Sequence, residues 1–130
     1  MPLAATPLAD VTEKTWQAQV TELARTLGWK VFHPYDSRRS AHGWPDLSLL
    51  RERLILVELK TEKGRVSVHQ RAWLEALLAA NVEAYVARPR HLEDLARILG
   101  CRGHPGHTTS NLHAASAHYR LRTETRKEIG

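Results

Sequence analysis

A chain of 130 residues and 14.7 kDa has the size of one domain, and 42% hydrophobic with 25% charged residues excludes a disordered chain. The single cysteine, Cys101, excludes an intrachain disulfide. The net charge of +5, with 14 arginines among 19 cations, favours a phosphate-bearing partner but is also common in proteins that have none.

The first predicted element is a helix over residues 10–28. Asp10 is a good N-cap, Glu13 completes a box-like cap three residues later, and Gly28 ends the helix. Apolar residues recur at helical spacing and form its buried stripe: Trp16, Val20, Leu23 and Leu27.

Three strands are predicted next. Residues 29–35 form the first strand, and residues 36–45 form a loop rich in Ser, Gly and Arg. Residues 46–50 and 54–60 are two β-rich runs separated by three residues, which indicates a tight hairpin.

A second helix is predicted after Gly64, because Ser67 and Gln70 form a capping box and Asn81 can end the helix in the left-handed conformation. Its expected buried positions are Ala72, Leu74, Leu77 and Leu78. Residues 83–88 then form a fourth strand and residues 91–99 a third helix. Trp16, Trp73 and the other aromatic residues are expected in the core.

The predicted order is therefore αβββαβα, an α/β fold. A right-handed crossover makes the third and fourth strands parallel, which gives a mixed four-stranded sheet flanked by helices. We expect residues 1–100 to form the domain. Residues 101–130 hold four of the eight histidines and a net charge of +3, and are predicted to be an appended basic tail.

The hairpin places two carboxylates face to face. If Leu50 pairs with Leu54, Ser48 lies opposite Leu56 and Asp46 lies opposite Glu58. The other face of the ribbon is apolar and suited to the core: Leu47, Leu49, Ile55, Val57 and Leu59. Opposed like charges are destabilising unless a cation lies between them. That cation is either Lys60, in a structural ion cluster, or a divalent metal such as magnesium.

The flanking residues resemble a nuclease motif. Gly43-Trp44-Pro45-Asp46-Leu47, followed by Glu58-Leu59-Lys60, resembles the PD-(D/E)XK signature, and the element order matches that restriction-endonuclease-like core. The Gly-x-Pro-Asp opening and the Ser67 to Arg71 segment resemble the VRR-NUC family of this superfamily. The similarity covers residues 12–99 and includes Gly28-Trp29 at the end of the first helix.

The resemblance implies roles for the residues of the hairpin. Asp46 and Glu58 would bind Mg²⁺ or Mn²⁺ together with the Leu59 carbonyl, and Lys60 would position or activate the attacking water. Replacing Lys60 should then cost rate more than folding. Gln70 is a cap by its position and an active-site residue by the resemblance.

The first helix gives two candidates for a further site residue. Relatives often contribute a glutamate here, and alignment on Gly28-Trp29 places Gln17 at that position with Glu13 one turn earlier. Both side chains could face the cleft. The alternative is that Glu13 only completes its cap and Gln17 lies on the surface.

Several cations adjoin this site in the sequence. Arg38, Arg39 and His42 enter the Pro-Asp strand and Arg65 follows Lys60, so these residues are candidates for gripping phosphates, although exposed arginines are often only solvated. Cys101, His104 and His107 have ligand-like spacing, but they match no established zinc pattern, and a basic tail that contacts nucleic acid is the favoured interpretation.

The function expected from the resemblance is metal-dependent hydrolysis of DNA by an endonuclease, in phage-type DNA processing, repair or branched-DNA resolution. Some compact relatives act on branched DNA as dimers, which adds a homodimer to the expected partners. An RNase of the same fold and a catalytically silent nucleic-acid-binding subunit are the alternatives. Without a signal peptide or a membrane-spanning run, we expect a cytoplasmic protein of a bacterium or a phage-infected host.

Overall fold

The computed structural model describes residues 6–34 and 42–102. Its helices and strands follow the predicted αβββαβα order: α1 (Glu13–Thr26), β1 (Lys30–Phe32), β2 (Leu47–Leu50), β3 (Leu54–Leu59), α2 (Val68–Ala79), β4 (Glu83–Ala87) and α3 (Leu92–Gly100). Short 3₁₀ turns precede α1 and α3 at Leu8–Asp10 and Pro89–His91. Most of the predicted loop, and residues 103–130 of the predicted tail, lie outside the described residues. No helix in the described ranges has the length and apolar character needed to cross a bilayer.

The four strands form one mixed sheet in the order β1-β2-β3-β4. β2 is antiparallel to both β1 and β3, whereas β3 and β4 are parallel. The hairpin has the predicted register, with Leu50 paired to Leu54 and Ser48 to Leu56. The pairing ends at Leu47 and Val57, so Asp46 lies just before β2, at the open end of the hairpin.

Helices cover the two faces of the sheet. The larger core joins the face predicted to be apolar to α1 and α3, and includes Trp16, Leu49 and Leu95. The smaller core lies under α2, where Leu74 packs with Leu56, Ala84 and Val86. All five predicted inward residues of the hairpin are buried: Leu47, Leu49, Ile55, Val57 and Leu59. Side-chain alternation along the strands therefore predicted this face correctly.

The predicted start of the first helix is wrong by two residues. Asp10 lies in the 3₁₀ turn, and the extended residue Thr12 is the N-cap, its Oγ1 accepting a hydrogen bond from Thr15 N at 3.2 Å. Between them Val11 is buried in the core, which moves the helix start beyond Asp10. Glu13 is consequently the first helical residue and does not occupy the N3 position of a capping box.

Other boundaries and burial predictions are also corrected. The first strand is only three residues long, and on α2 Leu74 is buried while Ala72 is exposed. Leu77 and Leu78 are half-buried against the smaller core. Trp16 is a core residue, but Trp73 is only half-buried, and its Nε1 donates to the His42 carbonyl at 2.9 Å.

Two arginines hold the closed end of the hairpin to the ends of two helices. Arg51 donates to the carbonyls of Leu27, Leu99 and Cys101, and Arg53 donates to those of Ile98 and Cys101. Their guanidinium carbons lie 4.4 and 5.2 Å from the Trp29 ring centre. These contacts supply donors to carbonyls at the C-terminal ends of α1 and α3, where the regular helical hydrogen bonds run out.

Candidate metal and catalytic site

The functional candidates of the hairpin lie together at its open end. Asp46 precedes β2, Glu58 is the second-last residue of β3, and Lys60 directly follows that strand. They border a cavity of about 160 Å³. Its full lining comprises all the predicted catalytic and metal-binding residues: Glu13, Gln17, Asp46, Glu58, Leu59, Lys60 and Gln70.

The carboxyl group of Glu58 is the most buried polar group of this cavity. The residue is 1% exposed, and its Oε2 accepts a hydrogen bond from Gln70 Nε2 at 2.9 Å and lies 3.3 Å from Lys60 Nζ. Its Oε1 is also buried, but no donor reaches it from the described residues. Burial, followed by repulsion from Asp46, raises the pKa of Glu58 to about 8 although Lys60 acts in the opposite direction.

Asp46 is fixed by the backbone of the neighbouring strand. Its Oδ2 accepts a hydrogen bond from Leu59 N at 2.9 Å, across the open end of the hairpin. This contact uses one carboxylate oxygen and directs the group toward β3. The two carboxyl groups therefore approach one another, as the register predicted.

Gln70 combines the two roles between which the sequence left a choice. Its Oε1 accepts from Ser67 N at 2.9 Å, and its backbone N–H donates to Ser67 Oγ at 3.2 Å, which completes the predicted capping box. The side-chain amide then donates from Nε2 to Glu58. A glutamate could supply the acceptor but not this N–H, so the amide suits both partners at once.

The first helix brings Glu13 and Gln17 to the cavity from one turn apart. Glu13 is exposed and Gln17 is half-buried. With Thr12 acting as the cap, the interpretation of Glu13 as a capping residue no longer holds. Both side chains remain candidates for the site.

The loop that follows Lys60 is held by an arginine that the sequence analysis missed. Arg88, which directly follows β4, donates to the carbonyls of Thr61, Glu62 and Gly64. Lys60 N donates to Ala87 O at 3.0 Å, and a Cβ placed on Gly64 would lie 3.6 Å from Lys60 Cδ. No local sequence pattern indicates this contact, because it depends on the parallel pairing of Leu59 with Ala87, which sets the next residues, Lys60 and Arg88, side by side.

An aromatic group beside α2 was also missed. The His42 and His69 rings are 4.3 Å apart, and the Trp44 and Trp73 rings are 5.0 Å apart, both in edge-to-face arrangements. Gly43 lies between these residues with φ of +89°, and a Cβ there would be 2.4 Å from the His69 carbonyl carbon. No sequence pattern links the Gly43-Trp44 turn with His69 and Trp73, because these contacts join distant segments of the chain.

The structure does not bring every candidate to the cavity. Arg38 and Arg39 lie outside the described residues, whereas His42 and Arg65 are described and exposed but do not line the cavity. Cys101 is at the closed end of the hairpin, and its proposed zinc partners His104 and His107 fall outside the described ranges.

A comparison with known protein families shows which family the chain belongs to. The model of the VRR-NUC domain matches residues 8–91, well over half of the sequence. The chain belongs to the VRR-NUC domain family. This confirms the resemblance seen in the sequence. No match was found among curated proteins or among solved structures.

VRR-NUC membership makes this a nuclease-type domain, whose substrates are nucleic acids. The matched span contains the first helix, the whole sheet and α2, and therefore every residue that lines the cavity. The cavity therefore belongs to the part of the chain that is shared with the family.

The cavity has a donor set suited to a hard divalent cation. No three His, Cys, Asp or Glu side chains form a metal-binding group within residues 6–34 and 42–102. Two carboxylates do meet, however, and one buried oxygen of Glu58 receives no hydrogen bond. Magnesium commonly uses only one or two carboxylates and takes its other oxygens from water and substrate phosphates. The residues present therefore fit such an ion, and Lys60 alone does not satisfy Glu58.

Proposed function

We propose that this protein is a nuclease that hydrolyses phosphodiester bonds in DNA with the help of Mg²⁺ or Mn²⁺, cutting within strands as an endonuclease. The observation that carries the proposal is the buried Glu58 Oε1, which has no donor among the described residues and lies beside Asp46 in a cavity of a VRR-NUC domain. Ionising Glu58 beside Asp46 is costly because the group is buried and repelled by its neighbour, and a divalent cation between the two would offset that cost.

Asp46 and Glu58 would hold the metal, together with the Leu59 carbonyl. A metal bound there would polarise the scissile phosphate and lower the pKa of water. Lys60 Nζ, 3.3 Å from Glu58, would position the attacking water and stabilise negative charge that develops on the phosphate. Gln70 would keep Glu58 oriented through its 2.9 Å hydrogen bond.

The remaining candidates would complete the site around the substrate. Glu13 and Gln17 would add polar groups from α1 at the cavity wall. Arg38, Arg39 and Arg65 would contact phosphates on either side of the cut, whereas His42, the fourth residue expected to do so, has its ring against that of His69. The preference for DNA, the use of branched DNA and a homodimeric state are proposed on the family resemblance.

The deciding experiment incubates the protein with linear, supercoiled, flapped and four-way DNA and with RNA, in Mg²⁺, in Mn²⁺ and in chelator. We expect cleavage of DNA that requires metal and falls at least about 100-fold in Lys60→Ala. Lys63→Ala is the matched control, because Lys63 is an exposed lysine three residues further on that does not line the cavity. Equal cleavage by wild type and Lys60→Ala would reject the assignment, and cleavage of RNA alone would make the protein an RNase.

Metal binding can be measured apart from cleavage. Mg²⁺ should raise the melting temperature of the wild type, and Asp46→Ala should abolish that increase. If Mg²⁺ has no effect on either protein and Asp46→Ala is the more stable one, the acidic pair is only a charge cluster. The protein would then be a nucleic-acid-binding subunit without activity.

The proposed homodimer is tested separately, by measuring the molecular mass of the protein in solution.

A further inference from the structure

Four aromatic side chains form a rim next to the cavity: His42, Trp44, His69 and Trp73. We define this rim by those residues. The two imidazoles are exposed and the two indoles are half-buried. One edge-to-face pair is formed by the histidines and another by the tryptophans, with ring centres 4.3 and 5.0 Å apart.

The rim is fixed relative to the cavity on both of its sides. His69 is the residue before Gln70, so their Cα atoms are about 3.8 Å apart, and Gln70 reaches Glu58. His42 and Trp44 precede Asp46 by four and two residues. Gly43 lies against the backbone of His69 and Gln70, and Trp73 Nε1 donates to His42 O at 2.9 Å. Contacts between the loop and the helix therefore fix the position of the rim relative to Asp46 and Glu58.

Packing explains the tryptophans but not the histidines. Trp44 packs against the smaller core, and Trp73 ties the loop to α2 through its hydrogen bond. The imidazoles of His42 and His69 lie outside both cores and contribute exposed ring surface. A pair of solvent-exposed rings beside a nuclease site presents surface on which a nucleobase can stack.

We infer that the rim binds an unpaired nucleobase of the substrate strand next to the scissile phosphate, with His69 and His42 as its contact residues. This inference rests on the proposed function and deepens it, because it names the form of the substrate. None of the rim side chains is a lysine, an arginine or a carboxylate, which favours ring stacking over a phosphate contact. In an intact duplex the base is paired and stacked on its neighbours, so only a single strand, a flap or an opened junction offers it.

Tryptophan fluorescence can report binding at the rim, because two of its four side chains are tryptophans. Trp16 and Trp29 are 1% and 3% exposed, so a change of emission when a strand binds comes mainly from Trp44 and Trp73. Full-length Lys60→Ala protein in Mg²⁺ would be titrated with a 12-nucleotide oligothymidine strand and with a blunt 12-base-pair duplex. We expect the single strand to change the emission and to bind about tenfold more weakly when His69→Ala is added.

Two further variants separate stacking from other causes. His42→Ala should weaken the single strand in the same direction, whereas His33→Ala, which alters an exposed histidine outside the rim, should leave affinity unchanged. Because His42 and His69 are exposed, the melting temperatures should stay within about 2 °C. The salt dependence of binding should also stay unchanged, since stacking releases no counterions.

Either of two results would overturn the inference. One is unchanged single-strand affinity in both His69→Ala and His42→Ala. The other is an equal loss for strand and duplex with a shallower salt dependence, which would identify a phosphate contact instead. The outcome is independent of cleavage: rim-dependent binding by a protein that cuts nothing would reject the proposed function alone, and cutting without rim-dependent binding would reject the rim alone.

Discussion

Glu58 is a carboxyl group in a place where its charge is unfavourable. Its pKa of about 8 lies far above the ordinary 4.5, first because of burial and then because of Asp46. Between those two pH values the folded protein keeps a proton that the unfolded chain releases. The folded state is therefore progressively destabilised as the pH rises through this window.

We predict that Glu58→Gln removes this loss. In chelator, the free energy of unfolding of the wild type should fall relative to that of the variant between pH 5 and pH 9, by on the order of 3 kcal/mol. Urea unfolding at several pH values measures the difference. Mg²⁺ should restore stability at pH 9 in the wild type only. Glu93→Gln, at an exposed position of α3, is the control, and parallel profiles for wild type and Glu58→Gln would contradict the prediction.

At the scale of elements, the turn at Gly43 packs the segment that leads to Asp46 and β2 against the start of α2. Gly28 and Gly43 share a φ of +89°, but only Gly43 is pressed against another backbone. Gly28→Ala should therefore cost about 1–2 kcal/mol, which is the strain of the left-handed conformation. Gly43→Ala adds a Cβ 2.4 Å from His69 and should cost about 3 kcal/mol or more.

The two glycine variants should also differ in activity. Gly43→Ala should lower cleavage at least about tenfold, because Asp46 and Gln70 sit on the two segments that it forces apart. Gly28→Ala should retain activity, since its added Cβ meets only Arg51 Cδ at 3.7 Å. Urea unfolding and cleavage rates are measured on both. Similar rates for the two variants would show that the approach of Gly43 does not set the site.

Arg88 and Arg51 form a second matched pair, because each side chain links separate elements of the fold. Each donates to three backbone carbonyls, Arg88 behind Lys60 and Arg51 at the closed end of the hairpin. Alanine at either position should cost roughly 1–3 kcal/mol, through the donor that Leu27 O loses in Arg51→Ala and that Gly64 O loses in Arg88→Ala. Only Arg88→Ala should also lower kcat, by at least about tenfold, with DNA affinity unchanged, because its loop packs along the Lys60 side chain.

Rates for this pair must be compared at a temperature where both variants are folded. Arg88→Lys should recover part of kcat, since an ammonium can still donate to some of the carbonyls. An equal fall in kcat for Arg51→Ala and Arg88→Ala would mean that general loss of stability, rather than the position of Lys60, is responsible.

The elements also show why some features were predictable and others were not. The register of the hairpin followed from side-chain alternation, because a slip of β3 by one residue would turn Ile55, Val57 and Leu59 to the opposite face of the sheet from Leu47 and Leu49. The start of α1 depended instead on the burial of Val11, a tertiary contact that no local cap pattern reveals. The second role of Gln70 and the donation of Arg88 to the loop likewise arise from contacts between distant segments. The assignment of Trp73 to the core was wrong because its ring has a polar partner at the surface, His42 O.

For the whole molecule, the described core is followed in the sequence by a short basic segment. Within residues 6–34 and 42–102 the buried apolar positions extend from Val11 to Leu99, and the sequence after residue 102 carries four lysines and arginines against two glutamates. We predict that ending the chain after Arg102 changes the melting temperature by less than about 2 °C. The slope of log affinity for DNA against log salt should become shallower by up to about 3. An unchanged slope would show that these cations do not contact DNA, and a large fall in melting temperature would show that the domain extends beyond Arg102.

The arginines that bind the Cys101 carbonyl fix the point of the domain from which the C-terminal segment begins. The chain passes Arg102 at the closed end of the hairpin, while Glu58 lies at the open end, about 15 Å away along β3 at 3.3 Å per residue. The four lysines and arginines that follow Arg102, the first of them 18 residues further on, are therefore tethered to the domain at the end of the hairpin that is remote from Asp46 and Glu58.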